Sequence, residues 1–344
     1  MQVWLPTIRA GSGSDVFAER LAAGLNAAGV KASITWFPHW YEIAPWLMHN
    51  VQPPPGTDII HTNTSYAFAF KRPGTRLVAT ELHHLLDPAF RPFKSLVQHT
   101  YQKYVIGPYL RRSYAQADAI TAISEFTAKV LADEAGVSVT ATVPLWVDAD
   151  MFKPGPTRAP ATDNQFRLLF IGNNSKRKGA DVIPLLAQLL GAGFQIRCTA
   201  GLRQQSAAHH LPNVKILGRL SEPDLATEYQ QCDAVLVPSR YEGFGYAALE
   251  AMATGKPVVG FRSGAVAEVV GEAGSILLRE IDDVLGLAEA CVNLASNPAI
   301  AYRTGVDGRR RAHEAYAQET AIARYISLYQ RLVAEPSGHR QPAR

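Results

Sequence analysis

The run Val235-Leu-Val-Pro-Ser-Arg-Tyr-Glu-Gly-Phe-Gly-Tyr-Ala-Ala-Leu-Glu-Ala-Met-Ala-Thr-Gly-Lys-Pro-Val-Val-Gly260 constrains the fold more than any other part of the chain. Two short apolar segments, Val235 to Val237 and Pro257 to Val259, flank an alanine-rich stretch. Strands that do not alternate are buried on both faces, and two of them joined by a helix make the βαβ unit of a parallel sheet. Ligands on such sheets collect beyond the strand C-termini. The turn after the first strand holds Gly243 and Gly245, which can take positive φ and let a ligand approach closely. A helix starting near Tyr246 aims its leading N–H groups outward, so Phe244, Gly245 and Tyr246 are candidate donors to an anion. Inside that helix Ala247, Ala248, Leu249, Ala251, Met252 and Ala253 leave one anomaly, Glu250. A carboxylate on a helix covered on nearly all sides needs partners. These are an Arg or a backbone amide in one reading; one turn beyond an anion-binding loop, they are the two hydroxyls of a ribose.

The same alternation of strand and helix runs through both halves, which predicts an α/β fold of doubly wound parallel sheets. At 344 residues the chain suits two such domains. In the first, apolar runs at Val3 to Leu5, Ala32 to Trp36, Asp58 to His61, Leu77 to Thr80 and Ala119 to Ile123 are the expected strands, with a helix over about Asp15 to Ala28. The stretch from Pro154 to Asn164 is rich in Pro, Gly and small polar residues, and a strand begins after it at Phe166. Residues 1–153 are therefore expected as the first domain, 154–165 as a linker, 166–318 as the second domain and 319–336 as a last helix, with the end beyond Pro336 frayed.

The second domain's first strand ends in Ile171-Gly172 and leads into Asn173-Asn-Ser-Lys-Arg-Lys-Gly179, a donor-dense loop read as opening a helix. Such a loop suits a diphosphate, whose charge Arg and Lys neutralise; the plainer alternative is a solvated basic turn. In the first half, Gly11-Ser-Gly13-Ser-Asp15 follows the first strand, and His83 and His84 follow the strand at Leu77 to Thr80.

The motif Pro-Ser-x-x-Glu242-Gly-Phe-Gly-x-x-x-Leu-Glu250-Ala-Met-Ala-x-Gly-x-Pro-Val-Val resembles glycosyltransferase family 4, whose signature is Glu, seven residues, Glu. The resemblance implies the GT-B architecture, two Rossmann-like domains facing across a cleft, with the last helix crossing back to the first. It implies a retaining transferase that moves a sugar from a nucleotide-sugar donor, UDP- or GDP-linked, to a glycan or lipid-linked acceptor of a cell-envelope polysaccharide, by front-face attack. By the same resemblance Glu250 holds the ribose, Glu242 a hydroxyl of the donor sugar, and Lys178 and Arg177 the diphosphate, with Gly172, Asn173, Gly243, Phe244, Gly245 and Tyr246 lining the donor. His83, or alternatively His84, contacts the transferred sugar, and Gly11, Gly13 and Ser124 line the acceptor or donor loop. The chain departs from the family where Asn173 replaces an Arg, a loss that Arg177 or Lys176 can offset, and where Leu145-Trp146 replace Asn-Gly. A dinucleotide fingerprint at Gly243 to Ala248 is the rival reading of the turn, but it belongs after a domain's first strand. Rival functions are a sugar-nucleotide epimerase of the same fold and a non-catalytic nucleotide-sugar-binding protein.

Hydrophobic residues make up 47% of the chain and charged residues 19%, as in soluble globular proteins, and the start has no basic leader segment. The expectation is a cytoplasmic protein, peripheral on the inner face of the plasma membrane. Pro88 to Ala117 holds no acidic residue, while Arg91, Lys94, Lys103, Arg111 and Arg112 alternate with aromatic and aliphatic residues. That pattern reads either as a surface for anionic lipid or as a helix pair with a solvated basic face. No nucleic-acid module accompanies it. Cys198, Cys232 and Cys291 lack metal-ligand spacing and are expected as buried thiols. Asp148-Ala-Asp150 imitates a metal motif of another transferase fold but is read as part of Val147-Asp-x-x-x-Phe152, so neither metal nor cofactor is expected.

Overall fold

The computed structural model describes residues 1–11, 13–155, 165–199 and 211–335, which form two compact units, Met1–Pro144 with Gln318–Arg344, and Leu145–Ala317. Most of the expected linker, the tail beyond Glu335 and Ser12 of the glycine-rich loop lie outside the described residues. Residues 145–155 belong with the second unit, whereas the composition change had suggested a break at 154. The reason is packing: Phe152 meets Tyr229 edge-on at 5.6 Å, and Gln230 Nε2 donates to the Lys153 carbonyl at 3.0 Å.

The first unit is a parallel sheet of β1 (Gln2–Ile8), β2 (Lys31–Phe37), β3 (Ile59–Asn63), β4 (Arg76–Glu81), β5 (Ala119–Ala122) and β6 (Ala141–Thr142), ordered β2-β1-β3-β4-β5-β6. Helix α1 (Gly13–Ala27) connects β1 to β2, and α2 (Leu96–Tyr101), α3 (Gly107–Gln116) and α4 (Glu125–Ala135) follow β4 and β5. Val3 to Ile8, Ile59, Ile60, Leu77 and Val78 are all buried, which is what non-alternating strands require. The C-terminal helix, Gln318–Ala334, packs on α1, where Gly24 is small enough to admit Ile322; a Cβ there would lie 2.5 Å from Ile322 Cδ1. Its Tyr329 hydroxyl meets His61 Nδ1 at 2.5 Å, while His61 Nε2 meets Thr80 Oγ1 at 2.5 Å. Burial lowers His61 to about 3, so the ring is neutral and can donate from one nitrogen and accept at the other.

The second unit repeats the plan with β7 (Phe166–Phe170), β8 (Phe194–Thr199), β9 (Val214–Gly218), β10 (Ala234–Val237), β11 (Val258–Phe261) and β12 (Leu278–Arg279), ordered β12-β11-β10-β7-β8-β9 and again parallel. Helices α5 (Ile183–Leu190), α6 (Glu222–Gln231), α7 (Tyr246–Ala253), α8 (Val266–Ser275), α9 (Val284–Ser296) and α10 (Pro298–Ala315) surround it. Both sheets are doubly wound, as the strand and helix alternation predicts. Strand order reverses between β1 and β3 in the first sheet and between β7 and β10 in the second, and these switch points are where the loops diverge to leave a ligand crevice. The three cysteines are buried and unpaired with one another.

Candidate functional site

The second unit's switch point brings together the loops after β7 and β10. Strand β10 ends at Val237 because Pro238 cannot continue the ladder, and the chain turns through Ser239 to Gly245 before α7. Glu242 sits in this turn, 7% exposed, with Lys178 Nζ at 2.5 Å from Oε1 and Arg177 at 3.5 Å from Oε2. Burial alone would raise its pKa, but Lys178 and then Arg177 outweigh that and hold it at about 2. The group is therefore a carboxylate at neutral pH: it can accept hydrogen bonds from hydroxyls but cannot act as an acid.

The cationic loop is shaped by its own backbone. Ser175 caps a short 3-10 turn over Lys176–Lys178, and Gly179 at φ +75° reverses the chain against Pro238, where a Cβ would meet the carbonyl oxygen at 2.0 Å. The loop does not open a helix directly; α5 begins only at Ile183. Arg240, unremarked in the sequence, ties the two loops: its side chain bonds Asp181 and Asp282, its N–H donates to the Arg177 carbonyl at 2.8 Å, and Arg177 Nη1 returns a bond to the Tyr241 carbonyl at 2.9 Å. Gly172 lets the Lys178 stem lie close, since a Cβ there would be 3.3 Å from Lys178 Cβ. Asn173 is half-buried and accepts from Ser175 Oγ at 2.7 Å, while Lys176 is exposed; Arg177 lies beside Lys178 against Glu242.

In the β10–α7 turn, Gly245 takes φ +103° but Gly243 does not adopt a positive φ, so the glycine reading holds at one position only. Gly243's neighbour Phe244 is buried edge-on against Tyr316 at 5.6 Å. Tyr246 begins α7, and no side chain caps the helix. Glu250 is 8% exposed and accepts from the Tyr229 hydroxyl at 2.8 Å. A protein partner of the kind the plainer reading requires is thus present, though it is a tyrosine of α6 twenty-one positions away, with no local signal to reveal it.

In the first unit, Gly11 takes φ +62°, and the N–H groups of Ala10 and Gly11 donate to Asp15 at 3.0 and 2.9 Å, while Gly13 opens α1. A recess lined by Thr7, Ser14, Phe17, Asn63 and Tyr66 lies at this switch point. His83 is exposed, with its ring edge-on to Phe90 at 5.6 Å, whereas His84 is buried with Nδ1 3.4 Å from the Tyr114 hydroxyl. Ser124 is fully buried and caps α4 through Thr127 N–H at 3.0 Å. Asp148 accepts from the N–H groups of Asp150 and Met151, both at 3.0 Å, so the Asp-x-Asp pair closes a turn. Among the described residues no group of three or more His, Cys, Asp or Glu side chains is placed to hold a metal.

Glu81 is the residue that sequence reasoning passed over. It ends β4, is 1% exposed and accepts from Tyr114 at 2.7 Å. Burial pushes it up to about 7 against the opposing hydrogen bonds of Tyr114 and Thr64. His84 Nδ1 lies 4.0 Å from it, but burial lowers the imidazole below its usual range, so the two are not an ion pair at neutral pH. The available signal was a carboxylate at the end of an otherwise apolar strand.

Known proteins match both halves. A family profile described as Glycosyltransferase Family 4 matches residues 14–151, and one described as Glycosyl transferases group 1 matches residues 165–297. The chain is 31% identical over 210 residues to an MMP alpha-(1->4)-mannosyltransferase of Mycolicibacterium hassiacum, covering 56% of this chain and 48% of that protein. It is 29% identical to a GDP-mannose-dependent phosphatidylinositol monomannoside mannosyltransferase of Corynebacterium glutamicum, covering 64% of each. The chain spans about half the length of several relatives, the first mannosyltransferase and a mycobacterial glycogen synthase among them. Among solved structures, a sucrose-phosphate synthase from Thermosynechococcus elongatus superposes with a TM-score of 0.78 at 20% identity, over 97% of this chain and 100% of that one. Anabaena HepE, solved with UDP-glucose, gives 0.73 at 16% identity over 95% and 100%. The fold is GT-B, and, with one family profile on each half and the Glu242 and Glu250 pair set at the second switch point, the chain belongs to glycosyltransferase family 4.

Proposed function

We propose that the protein is a retaining, metal-independent glycosyltransferase that moves a sugar from a UDP- or GDP-linked donor to a glycan or lipid-linked acceptor, the second unit binding donor and the first acceptor. The observation that carries the reading is Glu242, a buried carboxylate gripped by Lys178 and Arg177 at the switch point, eight residues before Glu250. In this scheme the diphosphate lies along the Lys178 and Arg177 loop and the Phe244 to Tyr246 backbone, where cations and N–H groups stabilise charge developing on the leaving group. Glu250, already oriented by Tyr229, takes the ribose. Glu242 accepts from a sugar hydroxyl, and His83 is the first unit's candidate for the same sugar. Solved relatives of this fold carry UDP and UDP-glucose, which supports a nucleotide-linked donor.

Front-face attack suits the carboxylates. Double displacement needs a free carboxylate nucleophile on the face opposite the leaving group. Glu242 is held by two cations, and Glu81, two residues before His83, is buried and protonated up to about pH 7. The protein is further proposed to work at the cytoplasmic membrane face through residues 88–117; no single described helix is long and apolar enough to cross a membrane.

A panel of UDP- and GDP-sugars tests the assignment. The right donor raises the melting temperature, at a hundred times its Kd by the equivalent of about 2.7 kcal/mol. NMR of the product should show the donor's anomeric configuration, with turnover unchanged by EDTA; an inverted product overturns the reading. Glu242→Ala and Lys178→Ala should each abolish transfer, and wild-type rates in either would remove those residues from the site.

A further inference from the structure

One side chain from the β10–α7 turn grips the cationic loop at both ends. Four of the five guanidinium N–H donors of Arg240 are taken: Nε by Asp282 at 2.6 Å, Nη1 by the Lys176 carbonyl at 2.5 Å and by Asp181 at 2.8 Å, and Nη2 by the second Asp181 oxygen at 3.0 Å. Two carboxylates offset its single charge, so little of that charge is left for an anion. Lys176 and Asp181 bracket Arg177 and Lys178, the two cations set against Glu242. The backbones are tied as well, since Arg240 N–H donates to the Arg177 carbonyl and Arg177 Nη1 to the Tyr241 carbonyl, at 2.8 and 2.9 Å. Arg240 stands two residues before Glu242, so the same residue fixes both partners of the Lys178 to Glu242 contact.

Fold stability does not account for this arrangement. Asp181 and Asp282 are exposed, and ion pairs to such groups return little. Asp282, in the loop between β12 and α9, is the only residue other than glycine at positive φ among the described residues, at +70°. That backbone costs at least as much as one exposed ion pair gives back. Strain held beside the switch point, in a residue whose side chain reaches only Arg240 among the bonds described, points to a loop that has to be fixed before its ligand arrives. We propose that Arg240, with Asp181 and Asp282 as its anchors, is a positioning residue for the diphosphate: it does not touch the donor but sets the backbone of Lys176 to Gly179, so that Arg177 and Lys178 meet the diphosphate with their main chain already in place. Preorganised cations stabilise a leaving group better than mobile ones, because no ordering remains to be done as its charge develops. The ligand in this proposal rests on the transferase reading; the clamp itself stands on the donor-free geometry.

Trypsin reads the clamp without any donor, since it cuts after Lys176, Arg177 and Lys178 only when their backbone opens. Arg240→Lys keeps the charge but loses the fork, and mass spectrometry of the full chain should find these three bonds nicked about tenfold faster than in wild type. Equal nicking overturns the clamp. Asp282→Gly separates positioning from stability: glycine suits φ +70°, so the melting temperature should stay close to wild type while the lost anchor lowers kcat/KM for the donor by about threefold or more. A lower melting temperature with unchanged kcat/KM would make the anchor merely structural and overturn its role. Asp181→Ser together with Asp282→Gly frees the guanidinium. If Arg240 acts through the loop, calorimetry should show this double variant binding UDP or GDP, whichever the wild type takes, about tenfold more weakly. Unchanged or tighter binding, as a freed guanidinium reaching the diphosphate itself would give, overturns the proposal. Should the wild type bind neither nucleotide, the diphosphate assignment falls with the transferase reading, and the nicking pattern still decides the clamp.

Discussion

Two buried carboxylates with opposite pKa shifts set what this protein's chemistry can use. Glu242 is held down at about 2 by Lys178 and Arg177, so its stabilising contribution is present above the ordinary carboxylate range near 4.5 and is lost only as pH falls toward 2. It stays ionised throughout the neutral range, and Glu242→Gln, which keeps the shape but leaves two cations without their counter-charge, should lower kcat by about 10²-fold in steady-state assays. Glu81 runs the other way. Its folded pKa of about 7 means that the native state binds an extra proton between about pH 4.5 and 7, so stability is greatest below that window and falls through it by about 3 kcal/mol. Glu81→Gln carries no such proton. Urea denaturation should find the variant close to wild type at about pH 5 and more stable than wild type at about pH 8; a difference that does not change with pH would show that Glu81 ionises freely in the fold.

At the scale of elements, the turn after β10 is held from behind by the loop after β11. Gly264 takes φ +50°, a Cβ there would stand 2.2 Å from the Glu242 carbonyl oxygen, and the same oxygen accepts from Ala265 N–H at 3.0 Å. Gly264→Ala should therefore strain the backbone by about 1–3 kcal/mol and displace Glu242 as well. Gly74→Ala is the control, since Gly74 has φ +77° with open space around it. Both should lower the melting temperature, but only Gly264→Ala should raise the Kd for donor, by tenfold or more in calorimetry; equal donor affinity in the two would mean that Glu242 moves freely of its neighbour. Elements of this kind were unevenly legible. Strands were plain because apolar runs such as Ala234 to Val237 can only be buried on both faces; Glu242 stood out through the family motif, and Lys178 and Arg177 through the donor density of their own loop, but nothing local showed that a loop 64 positions earlier would meet Glu242. The bonds that orient them were equally hidden, since Tyr229 reaches Glu250 from another helix and Arg240 reaches Asp282 from forty-two positions away. The helical run from Leu96 also hid a π turn over Gln102–Ile106, for which Pro108 was the unread signal: it cannot donate to the carbonyl four residues back, and the wider turn relieves that clash.

For the molecule as a whole, the chain order is at odds with its cooperative units. The first unit is completed by the last described helix, whose Tyr329 meets His61 from 268 positions away, while the second unit is one continuous stretch of chain. The two units have separate cores, one built around Trp4, Ile60 and Phe70 and the other around Leu168, Leu236 and Phe261. Damage at the His61 contact should stay in the unit it closes. Tyr329→Phe removes the hydroxyl from a buried imidazole that has no other partner at Nδ1 in the contacts described, and a buried polar group so stranded costs about 1–3 kcal/mol. Native-state hydrogen exchange should then show faster opening for amides of β1, β3 and β4 by the factor that this cost implies, with β7, β10 and β11 unchanged. Uniform acceleration in both sheets would mean that the units unfold as one, and that the C-terminal helix stabilises the entire molecule rather than the sheet it lies on.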